Sequence, residues 1–110
     1  MRGERGYLSG PMSGIPDNNF PAFNEAAAAL RALGFTIVNP AEICVANPDS
    51  WHACLRADIK ELCDCNFIVL MPGWQGSTGA HLELHLAHRL GLDICFLGDF
   101  VPAIRGGATR

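Results

Sequence analysis

Residues 76–91, Gly-Ser-Thr-Gly-Ala-His-Leu-Glu-Leu-His-Leu-Ala-His-Arg-Leu-Gly, put a carboxylate where an amphipathic helix has no use for one. At about 100° per residue, Ala80, Leu84, Leu86, Ala87 and Leu90 gather on one side and His81, His85 and His88 on the other, while Glu83 falls inside the apolar arc. Burying an unpaired charge is costly, so a carboxylate there either serves a site or hydrogen-bonds a neighbouring helix end. Asp58 repeats the anomaly. It lies at i+3 from Leu55 and i−4 from Leu62, on the face that Trp51, Leu55, Ile59 and Leu62 form in a helix that Ser50 can cap. Desolvation on that face raises a carboxyl's proton affinity, whereas Arg56, Lys60 and Glu61 point away.

Other reactive side chains are less well placed. His81, His85 and His88, at i, i+4 and i+7, could share a metal ion, but no carboxylate or cysteine is spaced to complete the ligand set. The favoured reading is a polar or subunit-contacting helix face with no metal. The five cysteines, at 44, 54, 63, 65 and 95, are odd in number and lack a CxxC pair, which predicts reduced thiols; Cys63 and Cys65 around Asp64 are a lesser redox or metal candidate.

The elements that must position these acids alternate. Residues 6–10 are a short β-prone run, followed by a loop from Pro11 to Asn19. Ser9, Gly10, Ser13 and Gly14 are small enough there to let backbone N–H groups approach a ligand. Asn19 can cap a helix buried through Phe20, Phe23, Ala27 and Leu30 and ended by Gly34; Phe35–Val38 is a second strand, and 41–49 reads as a surface loop with Glu42 in solvent or capping a turn. The helix carrying Asp58 follows, then the unalternating apolar run Asn66–Met71 as a central strand, a turn through Pro72–Gly76, the helix carrying Glu83, and a fourth strand at 93–97.

This order predicts an α/β fold: an open, mostly parallel sheet of four to five strands with helices on both faces, flavodoxin- or Rossmann-like, in the order 2-1-3-4. Function in such sheets sits at the carboxyl ends of the strands, where the first-strand loop and the Pro72–Ser77 loop would adjoin. Glu83, about two turns into its helix, would line the floor of that crevice.

Composition narrows the partners. At 110 residues the chain suits one domain, with 1–5 and 99–110 expected to be flexible or subunit-contacting. Only 17% of residues are charged, below the roughly 25% usual for soluble domains, which predicts a homodimer or higher homo-oligomer. A net charge of −3 with a single lysine offers no basic stripe, so polymeric nucleic acid is not an expected partner. No run approaches the ~20 apolar residues of a membrane span and the N-terminus lacks a signal-peptide core, so the expected location is the cytoplasm.

With these pieces placed, the sequence resembles the nucleoside 2-deoxyribosyltransferase superfamily, including its 2'-deoxynucleoside 5'-monophosphate N-glycosidase branch. The likeness rests on Tyr7-Leu8-Ser9-Gly10-Pro11-Met12-Ser13-Gly14, on Asp58 upstream of Asn66, and on Gly79-Ala80-His81-Leu82-Glu83-Leu84-His85-Leu86-Ala87 followed by Gly91, over roughly residues 6–96. It implies that Glu83 is the nucleophile at the anomeric carbon, that Tyr7 orients it, and that Asp58 assists departure of the base. The glycine-rich loop and Gly79 would border the substrate. Ser77 stands where the resemblance puts an Asp in nucleoside transferases and a Ser in nucleotide hydrolases, which leans toward a 5'-monophosphate. Met12-Ser13 stand where the hydrolases carry an Arg. No organic cofactor is implied. A non-catalytic module sensing a nucleotide in the same crevice is the alternative reading.

Overall fold

The apolar run ahead of Pro72 becomes the centre of a sheet because every side chain on it is covered from one face or the other. A computed structural model describes residues 4–46 and 50–106. Its strands are β1 (Arg5–Ser9), β2 (Thr36–Val38), β3 (Phe67–Leu70) and β4 (Asp93–Phe96), all parallel in the order β2-β1-β3-β4. Helices α1 (Phe20–Ala32), α2 (Pro40–Ala46), α3 (Trp51–Cys63), α4 (Thr78–Arg89) and α5 (Val101–Gly106) surround it. The fold class and strand order are those expected, with four strands among the described residues.

Successive strand residues face opposite ways, and this sorts the core into two halves. Leu8, Ile37, Phe67 and Val69 pack with Phe23, Ala27 and Leu30 of α1. Tyr7, Val38, Ile68 and Leu70 face the other way, with Leu62 of α3 and Ala87 of α4. Ser9, two residues after Tyr7, lies on the second face too and is fully buried. Strand β1 pairs with β2 on one side and β3 on the other, so the chain diverges at their carboxyl ends, where Ser9 stands opposite Leu70.

Several local expectations are corrected. Residues 41–49, read as a surface loop, begin instead with α2: Asn39 Oδ1 accepts the Ala41 N–H at 3.0 Å and Pro40 opens the helix, a cap followed by a first-turn proline. Residues 47–49 lie outside the described residues. Asn19 precedes α1 in a left-handed conformation (φ 61°) and gives its helix no side-chain cap; its Nδ2 donates to the Pro11 carbonyl at 2.9 Å. Trp51 and Leu90, placed on apolar helix faces, are 56% and 52% exposed, because one sits in the first turn of α3 and the other just past the last of α4, where neither helix is covered.

Residues near both ends of the described chain make contacts of their own. Arg5 belongs to β1, where its N–H donates to Asn66 Oδ1 at 2.9 Å and its guanidinium pairs with Glu61. Residues 97–106 fold back as a 3-10 turn and α5, with Phe100 edge-on to Phe35 at 5.6 Å. Glu42 is exposed, in keeping with the solvent-facing expectation, and forms a two-pronged ion pair with Arg31 at 2.9 and 3.0 Å. Among the described residues no helix is long and apolar enough to cross a membrane.

Candidate active site

Strand alternation and helix periodicity converge on one carboxylate. Ser77 caps α4 by accepting the Ala80 N–H at 3.1 Å, and the three-and-four spacing from Ala80 to Glu83 to Ala87 then turns all three toward the sheet, where they are buried. Tyr7 and Ser9 project from β1 to meet them. The Tyr7 hydroxyl donates to Glu83 Oε2 at 2.6 Å, and the Ser9 hydroxyl donates to Oε1 at 2.6 Å. Each carboxylate oxygen therefore holds a short hydrogen bond, the kind that favours the charged form.

Burial pushes the Glu83 pKa up, while the Ser9 and Tyr7 hydroxyls pull it back. Tyr7 itself is held well above its usual value, first by burial and then by the charges of Glu83 and Asp58, so its phenol stays protonated and remains a donor. Asp58 approaches from α3, 8% exposed. Its pKa is pushed up to about 8, chiefly by burial and next by the Glu83 charge, with the nearby Tyr7 hydroxyl opposing the rise. Asp58 Oδ1 is buried with no hydrogen-bond partner. A buried acceptor left unpaired is costly, so this oxygen is where a proton or a bound molecule is wanted.

Both acids line one cavity of about 90 Å³, with Gly10, Ser13 and Gly79 at its sides. It opens into a hollow of about 560 Å³, and Met12, Ser13, Cys44, Trp51 and Cys54 border both. The inner part holds little more than a reacting centre; the outer part has room for the rest of a small molecule. Gly10 admits no side chain there, because a Cβ would stand 2.9 Å from that of Met71.

The structure thus brings Glu83, Asp58, Gly10, Ser13 and Gly79 to the cleft. Tyr7 and Ser9 lie beneath it as fully buried partners of Glu83, so the Ser9 hydroxyl, expected in a ligand loop, is turned inward. Ser77 and Gly14 are not part of the lining; Gly14 is an exposed turn residue at φ 83°. His81, His85 and His88 are exposed, with His81 Nε2 at 2.7 Å from the Gln75 carbonyl, and no group of three metal-ligating side chains comes together among the described residues. Trp51, Cys44 and Cys54 were not singled out from sequence, where a first-turn tryptophan and two isolated cysteines read as packing residues. Only the meeting of α2 and α3 makes them a cleft wall.

Residues 4–96 match the family described as a domain of unknown function, DUF4406. The chain belongs to this family. The DUF4406 match runs from the start of β1 to the end of β4 and contains Tyr7, Ser9, Asp58 and Glu83, so the acid pair and its hydroxyl partners all lie within the domain. No match was found among curated proteins.

Proposed function

We propose that the protein cleaves the N-glycosidic bond of a (deoxy)nucleoside or its 5'-monophosphate, by hydrolysis or base exchange. The observation that carries this reading is the pairing of a buried, doubly hydrogen-bonded Glu83 with a proton-retaining Asp58 across one small cavity. Cleaving such a bond builds positive charge on the sugar and negative charge on the leaving base, and two carboxyl groups in opposite protonation states answer both. A Glu83 oxygen forms a bond to the anomeric carbon as the carbon–nitrogen bond breaks, and the Asp58 proton passes to the departing base. Water, or a second base, then displaces Glu83, and the proton it sheds returns to Asp58. Tyr7 holds the Glu83 carboxylate in place. No organic cofactor enters this scheme.

The same reading includes a homo-oligomer. Leu82 and Leu90 on or beside α4 and Ile94 and Phe96 on β4 are 40–52% exposed, apolar surface that a second copy would cover. No disulfide joins any of the five cysteines among the described residues, which supports a reducing, cytoplasmic setting.

The test is chromatography of the purified protein incubated with (deoxy)nucleosides and their 5'-monophosphates, with and without an acceptor base, beside Glu83→Gln. Free base that disappears in the variant is the expected result. If no base appears while a nucleotide raises Tm, the sensing module becomes the better reading and the enzyme proposal fails.

A further inference from the structure

Two buried acids share the cleft, yet the hydroxyl groups around them are unevenly divided. Tyr7 has one proton to donate and gives it to Glu83 Oε2 at 2.6 Å. Ser9 touches Glu83 alone, at 2.6 Å. Asp58 Oδ1 has no partner. A carboxylate is stabilised by each donor it accepts from, whereas an oxygen without a donor is better off in a protonated carboxyl.

We infer that the Ser9 hydroxyl decides which of the two acids carries their shared proton, holding the negative charge on Glu83 and leaving the proton on Asp58. Tyr7 holds one Glu83 oxygen, and Ser9 supplies the bond to the other. The other titratable groups facing the pair are few. From β1 there is Tyr7, a neutral phenol; from α2, Cys44, whose thiol burial holds at about 12 and therefore neutral; from α3, Cys54, which lines the same cavity. From α4 only Gly79 and Ala80 join Glu83, and no Lys, Arg or His lines the cavity among the described residues. Ser9 is thus a positioning residue that acts through Glu83. The proton assignment rests on this division of hydrogen bonds; its use in breaking a glycosidic bond rests on the function proposed above.

The assignment is tested without reference to turnover by infrared titration of the protonated-carboxyl band in the full-length protein. At about pH 6, where ordinary carboxyls are ionised, the wild type should keep a protonated-carboxyl band that Asp58→Asn removes and Glu83→Gln retains. In Ser9→Ala, Glu83 should take up a proton about one to two pH units higher than in wild type, the shift that loss of one hydrogen bond to a charged group produces. That additional band should vanish when Glu83→Gln is added. A wild-type band removed by Glu83→Gln instead of Asp58→Asn would overturn the inference, as would a Ser9→Ala protein whose Glu83 titrates unchanged, whatever happens to its Tm. If the protein releases base, the acid limb of its pH profile should move with the infrared titration at little cost in KM. If it releases none, the glycosidase proposal fails and the proton assignment is still decided by the spectra.

Discussion

Ser9 and Glu83, 74 positions apart in the chain, meet at 2.6 Å beneath the cleft, on the opposite carboxylate oxygen from the one Tyr7 holds. This contact ties the end of β1 to the second turn of α4. It turns a residue that looks like part of a ligand loop into a support for the acid.

Replacing Glu83 by Gln keeps the shape of the site and removes the charge. Base release should fall by roughly 10³-fold or more if Glu83 is the nucleophile, while a nucleoside or nucleotide still binds. Single-turnover chromatography together with calorimetric titration checks both halves.

Asp58→Asn should separate proton donation from the rest of the chemistry. A general acid contributes about 10²–10⁴-fold, so release of poorly departing bases should drop by that order. Wild-type activity should decline as pH rises through about 8, where Asp58 loses its proton, and this limb should be absent from the variant. A pH profile of kcat for both proteins reads the difference.

The same substitution has a stability signature. Folding raises the Asp58 pKa from 3.8 to about 8, so its protonated form favours the fold. That contribution is complete below about pH 4 and is lost as pH rises through about 8. Asp58→Asn should therefore melt above the wild type at about pH 9, and the gap should close toward about pH 4. Thermal scans across that window test the sign.

The charge of the cleft bears on its substrate. Asp58 and Glu83 line it, and among the described residues neither the cavity nor the hollow outside it carries a Lys or Arg. A 5'-phosphate of charge about −2 would meet the partial charge of about +0.5 at the start of α4, too little to offset the Glu83 carboxylate nearby. Where nucleoside and 5'-monophosphate are compared, kcat/KM should favour the neutral nucleoside, and the preference should shrink in high salt. A monophosphate that is the better substrate would overturn this and restore the leaning drawn from Ser77.

Gly10→Ala should cost stability and activity together. Its Cβ would press on that of Met71 at 2.9 Å, an overpacking worth about 1–3 kcal/mol. Tm should fall by roughly 5 °C or more, and KM should rise as the loop over the cavity shifts.

Much of this was legible in the residues themselves. The unalternating run at 67–70 and the helix periods around it specify a parallel α/β sheet, because a strand covered on both faces must be apolar throughout and a helix covered on one need not be. Asp58 and Glu83 stood out for the converse reason, as charges on faces meant for burial, and both are buried. What period and composition could not convey is whether separate elements meet. The inward turn of Ser9, the cleft wall of Trp51, Cys44 and Cys54, and the exposure of Leu90 depend on how α2, α3 and α4 settle on the sheet. Asn39 and Pro40 could end a strand or begin a helix, and their local chemistry serves both. The sequence alone determined which residues are costly to bury; only the tertiary structure decided which partners meet that cost, because hydrogen bonds across 74 residues depend on packing and not on local propensity.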